Sequence, residues 1–315
     1  MKTKINLVIS MLLGAFVFGS TLVHSQEYRI GTASLGGAFY PMGQTISNLV
    51  NKYGEQGISM VPVVTGGSVQ NPRLLASGEV DIAITNNNLA VLATKGVGPY
   101  KSGPIDMKGI AALHPSVLHM VVMKGSDIKT IEDLVGKRVA VGPAGGGTLG
   151  FLNFLLPLHN LSLSDMTPSF LSYSDGFSQL TDGNVDAAFA LSGYPAGAVM
   201  QASAGHDLEF ISFSEGMLEK ALAKNSAYSG VVIPADVYGT ESPATVIGVS
   251  NMLIVPSNMS AENVEDIVSS LFNHLEEFSS QNANAKQIDP ALSLQLSIPL
   301  HEGSVKYFNE HFFGK

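Results

Sequence analysis

Cysteine is absent from the 315 residues, which excludes disulfides, thiolate nucleophiles and thiolate metal sites. Arginine is scarce, occurring only as Arg29, Arg73 and Arg138. Arg29 and Arg138 stand at the starts of predicted strands and Arg73 inside a helical stretch, so none is placed for a bidentate grip on a carboxylate. A basic surplus is missing too. Lys and Arg total 17 against 26 Asp and Glu, a net charge of −9, which argues against a nucleic-acid partner. No G-x-S-x-G, no H-E-x-x-H and no Gly-Lys-Ser/Thr follows the glycines, and the eight histidines are scattered. Enzyme chemistry, a bound metal and a cofactor are therefore not expected. The apolar run Ile5 to Gly19 is shorter than the roughly 20 residues a spanning helix needs, and no later stretch qualifies. It follows Lys2 and Lys4 and leads to Val23-His24-Ser25, the pattern of a cleaved export signal over residues 1–25. Mature protein then begins near Gln26 in the periplasm. Removing two lysines from −9 leaves −11.

What the chain has in plenty is glycine, and its placement is informative. Tyr28 and Ile30 close a short strand, Thr32 to Gly37 are small and glycine-rich, and Met42, Ile46, Leu49, Val50 and Tyr53 recur at helical spacing. A strand that turns through glycines into a helix leaves the first helical N–H groups facing open space. With the macrodipole they form an anion site that needs no basic side chain. Pro41 suits the first turn. The unit recurs where Met60–Val64 meets Thr65-Gly66-Gly67-Ser68, and again where Val139–Val141 meets Gly142 to Thr148. Three such loops point to an anion-binding cleft.

Strands and helices alternate along the rest of the chain. The spacing predicts a helix over 69–77 ending at Gly78, a strand over 80–85 with Asn86-Asn87-Asn88 at its end, and a helix over 89–95. Strands follow over 110–113, ending at His114-Pro115, and over 118–123. The stripe Val264, Ile267, Val268, Leu271, Phe272, Leu275 and Phe278 predicts one supporting helix. Gly78-Glu79-Val80-Asp81-Ile82-Ala83 is echoed by Gly183-Asn184-Val185-Asp186-Ala187-Ala188, implying two lobes of like topology, each with its own parallel sheet. Residues 26–113 with 212–315 are expected to form one lobe and 114–211 the other. Ligands of such sheets sit beyond the carboxyl ends of the strands.

The segments I-G-T-A-S-L-G-G-A-F-Y-P-M-G from Ile30, T-G-G-S-V-Q-N-P-R-L-L-A-S-G-E-V-D-I-A-I from Thr65, D-L-V-G-K-R-V-A-V-G-P-A-G-G-G-T from Asp133 and G-N-V-D-A-A-F from Gly183 resemble the TAXI family, the extracytoplasmic receptors of TRAP transporters. Ala33-Ser34-Leu35 and Asn86-Asn87-Asn88 depart from that family's pattern. The resemblance implies an α/β, two-lobed periplasmic-binding-protein fold of type II. A monomer would close on a small organic anion such as glutamate or 2-oxoglutarate and deliver it to a membrane permease. A receptor reporting to a membrane sensor is the alternative, since both use the same lobe pair.

Candidate ligand residues lie on the loops and strand ends. Thr32, Gly36, Gly37 and Tyr40 belong to the first loop, and Tyr40 could equally pack in the core. Gly67 and Ser68 belong to the second, where Ser68 could instead cap the following helix. Asn86 ends a strand, and His114 either contacts the anion or shapes the turn before Pro115. Gly145, Gly146 and Thr148 open the third helix, and Ser192 ends the second-lobe strand.

Overall fold

Short β-branched runs bounded by glycine, alternating with helix-period stretches, give alternating strands and helices. The computed structural model describes residues 27–55, 57–213 and 215–313, so the predicted export segment lies outside the described residues. The chain opens with β1 (Glu27–Gly31), α1 (Phe39–Tyr53), β2 (Ser59–Val63), α2 (Asn71–Ser77), β3 (Ile82–Asn86) and α3 (Asn87–Lys95). Strand β4 (Met107–Met123) leads to β5 (Arg138–Ala140), α4 (Gly147–Leu155), β6 (Thr167–Ser169), α5 (Tyr173–Thr181) and β7 (Ala187–Ser192). Next come α6 (Gly197–Ser203), β8 (Leu208–Phe210), α7 (Glu215–Lys224) and β9 (Tyr228–Ile233). Strand β10 (Ala244–Pro256) returns the chain to α8 (Ala261–Phe272), α9 (Leu275–Gln281) and α10 (Glu302–Phe308).

The strands form one sheet in the order β2-β1-β3-β10-β4-β7-β5-β6, with β8 beside β4 and β9 beside β10. Its two halves are built alike. Parallel β1 and β3 match Ile30 with Ile82 and Gly31 with Ala83, while β5 and β7 match Val139 with Ala187 and Ala140 with Ala188. Arg29 donates its backbone N–H to Asp81 at 2.8 Å and its Nη2 to the Gly78 carbonyl at 2.7 Å. Arg138 repeats this on Asp186 at 2.8 Å and Gly183 at 3.1 Å. The six-residue echo is thus a repeat of structure, and two of the three arginines fasten it at the strand starts, away from the glycine turns.

Each half has its own core. Ile30, Met42, Ile46, Leu253 and Val264 belong to one cluster; Leu118, Val139, Phe151, Phe189 and Ile247 belong to another. Burying each such side chain contributes about 1.5–3 kcal/mol.

Several expectations are corrected. The two halves share a single sheet, because β4 and β10 run unbroken through both. The break expected at His114-Pro115 is a bulge inside β4: Leu113 pairs with Asn251 and Ser116 with Val249, so two residues face one. Proline, which has no N–H to give a ladder, is tolerated at such a point. Residues 213–249, assigned above to the first lobe, pack in the second core through Phe213, Ala221, Tyr228 and Val249. The crossings therefore lie at 114–116 and 249–251, side by side. The supporting helix is two, α8 and α9, but its predicted stripe packs in or against the first core.

Candidate ligand-binding site

Glycine turns at the carboxyl ends of β1, β2 and β5 meet between the two halves. Ala33, Ser34, Gly37, Ala38 and Phe39 of the first turn line a small cavity with Gly66, Gly67 and Ser68 of the second. Gly146, Gly147, Tyr173 and Leu191 close it from the other half. None of these side chains is charged. Phe39 and Tyr40 begin α1, and Gly147 and Thr148 begin α4, so their N–H groups have no acceptor within their own helices. Two positive helix ends and the turn before α2 thus converge on one place. Gly67, at φ +108°, holds a left-handed conformation in that turn.

The halves are latched across the cavity. Ala38 N–H donates to Ser192 Oγ at 2.8 Å. Ala198 N–H donates to the Gly36 carbonyl at 2.8 Å, and Val69 and Gln70 N–H share the Gly145 carbonyl at 3.1 and 3.2 Å. The space left measures about 10 Å³, room for roughly one water. A space of that size holds no organic ligand while these bonds are in place.

Of the predicted residues, Gly37, Gly67, Ser68 and Gly146 line the cavity, while Gly36, Gly145 and Ser192 supply the acceptors of the latch. Thr32 instead ties the first two turns together. Its Oγ1 donates to the Val63 carbonyl at 2.7 Å, and its own carbonyl accepts from Asn71 Nδ2 at 2.7 Å. Asn71 thereby serves three buried carbonyls, and Ser68 does not cap α2, whose cap residue is Gln70. Thr148 Oγ1 lies 2.7 Å from Tyr173 Oη and accepts from Leu191 N–H at 3.0 Å, so its hydroxyl is committed inside the second half. Tyr40 is half-buried and outside the lining.

Asn86 and His114 are not in the lining but stand behind it, against Gly147 and Phe39. Asn86 Nδ2 donates to Asn251 Oδ1 at 2.7 Å, and Asn251 Nδ2 donates to the His114 carbonyl at 2.7 Å and Ser116 Oγ at 2.8 Å. Asn86 Oδ1 has no partner and lies 2.5 Å from where a Cβ on Gly147 would stand. The His114 ring meets Phe39 edge-to-face at 6.1 Å and has neither nitrogen bonded. Complete burial pushes its pKa down to about 3. Reading the sequence missed Phe39, Tyr173 and Leu191. The signal for Tyr173 was Ser172-x-x-Asp175, a helix start whose Ser172 Oγ accepts from Asp175 N–H.

A larger groove of about 680 Å³ runs beside α3 and α4, lined by Asn87, Asn88, Phe154 and Tyr228 among others. It lies to the side of the three glycine turns. Convergent donors, more than volume, single out the smaller cavity.

The sequence profile of the NMT1-like family matches residues 30–311. A protein of Escherichia coli (strain K12) named for binding aliphatic sulfonates is 26% identical over 205 residues, 64% of this chain. The match spans 60% of that relative's length. Among solved structures, a protein of Bordetella bronchiseptica RB50 superposes with a TM-score of 0.52 at 16% identity, over 90% of this chain and 82% of its own. A binding-protein component of an ABC phosphonate transporter from Pseudomonas aeruginosa gives 0.51 at 11%, over 86% and 83%. The fold is accordingly a mixed α/β periplasmic-binding-protein fold of two lobes. These matches correct the resemblance to TAXI receptors, and with it the TRAP permease, glutamate and 2-oxoglutarate. The segments behind it are strand–glycine–helix units, which specify a fold more strongly than a transporter class. On the match over residues 30–311, the chain belongs to the NMT1-like family.

Proposed function

We propose that this chain is an extracytoplasmic solute-binding protein that captures a small organic sulfonate and delivers it to an ABC-type membrane transporter. The observation that carries the reading is the convergence of two helix N-termini and a glycine turn on an uncharged cavity between two lobes. Binding in such a cleft needs closure and donors, with no nucleophile, metal or general base. A sulfonate carries one charge spread over three oxygens, and donors arriving from three loops suit it. A carboxylate is planar and is best met by an arginine fork, which this cleft lacks. The name of the Escherichia coli relative supports the same head group. The export pattern of residues 1–25 supports a periplasmic setting.

A thermal-shift screen of short sulfonates, phosphonates, monocarboxylates and dicarboxylates tests it. Binding stabilises by RT ln(1 + [L]/Kd), about 2.7 kcal/mol at one hundred times Kd. Sulfonates should give the largest rise in Tm. A screen led by dicarboxylates or phosphonates would overturn the choice of head group, and no rise with any anion would overturn the binding reading.

A further inference from the structure

Among the described residues at the cleft, Ser34 keeps a hydroxyl without a partner in the cavity lining, where it can join the anion donors. Asn86, Asn284 and His114 keep polar atoms without partners behind that lining. Asn86 is fixed in orientation, because Asn251 gives its own NH2 to the His114 carbonyl and so can offer Asn86 only an oxygen. Asn86 must point its NH2 at Asn251 and its Oδ1 towards Gly147. Asn284, 5% exposed, donates Nδ2 to the Pro195 carbonyl at 3.2 Å, which leaves its Oδ1 unpartnered. His114, 0% exposed, has both nitrogens free. Gly193 covers the last two: a Cβ there would strike Asn284 Oδ1 and stand 2.8 Å from His114 Nε2.

Gly147 and Gly193 flank the wall of the second lobe that Leu191 and Ser192 complete, and they seal these atoms in the closed cleft. When the lobes separate, both glycines lift off. Two amide oxygens and an imidazole are then offered to whatever enters. Buried acceptors without partners cost stability, so a fold retains them where something else completes them. Both amide oxygens accept and cannot donate. A neutral imidazole has one acceptor nitrogen, so the His114 ring supplies a further acceptor beside the two amide oxygens.

We propose that the solute carries a hydrogen-bond donor, an amine or a hydroxyl, a few carbons from its anionic group, and that Asn86, His114 and Asn284 receive it. This rests on the anion-binding function proposed above and narrows its substrate class from alkyl anions to amino- or hydroxy-substituted ones.

Calorimetric titration with matched pairs tests it. Ethanesulfonate is compared with 2-aminoethanesulfonate and 2-hydroxyethanesulfonate, and propanoate with 3-aminopropanoate. In the series the cleft accepts, a donor-bearing member should bind at least tenfold tighter than its plain partner. That ratio should fall below threefold in Asn284→Ala and in His114→Phe, with melting curves confirming that each is folded. Equal affinity within the pairs, or an unchanged ratio in both folded variants, would overturn the proposal while leaving the function standing. Binding of no compound in either series would overturn both. The wild-type ratio decides alone if a variant does not fold.

Discussion

Gly147→Ala isolates closure from folding. Gly147 is the first residue of α4, and its backbone is not in the left-handed region, so alanine fits the backbone. Replacing glycine by alanine in a helix favours it by up to about 1 kcal/mol, less at the first position. The lobe carrying α4 should thus melt no lower than wild type. In the closed cleft the added methyl would stand 2.5 Å from Asn86 Oδ1, 2.9 Å from Leu191 Cδ2 and 3.4 Å from Ser68 Oγ. Asn86 cannot retreat cheaply, because Asn251 holds its NH2 at 2.7 Å. Overpacking of this kind costs about 1–3 kcal/mol, and the contacts with Asn86 and Ser68 place that cost on the closed state. The Leu191 methyl, on the same half as Gly147, is the end of a flexible side chain that can turn aside. Converted at 1.4 kcal/mol per decade, affinity for a short sulfonate should weaken about 5- to 150-fold. Titration calorimetry beside a melting scan reads both quantities on one sample. Wild-type affinity in a protein of undiminished Tm would remove Gly147, and the α4 terminus with it, from the site.

Arg29→Ala, Arg73→Ala and Arg138→Ala should each leave affinity within threefold by titration. Two of them pair with Asp81 and Asp186 at strand starts, and Arg73 reaches the Pro99 carbonyl and lies 5.4 Å from the Tyr100 ring. Thr148→Val should lower stability by about 1–3 kcal/mol, because Leu191 N–H and Tyr173 Oη lose a buried partner, while affinity in the folded fraction changes less than fivefold. Melting temperature should fall on acidification below pH 6.5. His114 and His119 are pushed by burial to about 3 and about 4, so between those values and 6.5 the unfolded chain binds protons that the folded chain does not. Stability is then complete above pH 6.5 and declines by up to about 1.4 kcal/mol per pH unit for each histidine. His119→Phe should flatten that slope, and an unchanged Tm–pH profile for this variant would contradict the assignment.

The parts of the fold that were legible are those set by local rules. Glycines after β1, β2 and β5 announced strand–turn–helix units, and the α1 stripe announced its buried face. Gly78 was foreseen as a left-handed helix end and stands at φ +72°. The Gly-x-Val-Asp echo foretold a repeat, and the paired arginine–aspartate fasteners bear it out. The site was legible in backbone but not in side chains. Thr32 and Thr148 sit beside the turns, yet their hydroxyls are committed within their own halves. Tyr173 and Leu191 reach the cavity from the other half, and the Ser172-x-x-Asp175 signal marks only the start of α5, not which of its side chains meets the cavity. Which hydroxyl faces a ligand depends on contacts across more than a hundred residues, as in Ala38 N–H to Ser192 Oγ.

The two places where the chain passes from one core to the other differ in what the sequence shows of them. Pro115 was visible, and a residue without an N–H was read as the end of a strand. The strand instead continues through a bulge at that point, where no donor is required, so the signal marked a bulge and not a terminus. The other crossing, at 249–251, lies inside a 13-residue strand whose one proline, Pro256, is its last residue, so nothing local marks where the strand passes from one core to another. Asn251 joins the two crossings. Its side chain reaches the His114 carbonyl, Ser116 Oγ and Asn86 Nδ2, linking β10, β4 and β3 at the place where both connecting strands must bend. In the proposed reading, the residues at the two crossings are thus bonded to the side chains that would receive the solute's donor. A ligand that engages Asn86 and His114 acts on the crossings directly, and no longer relay through either core is needed to couple binding to closure.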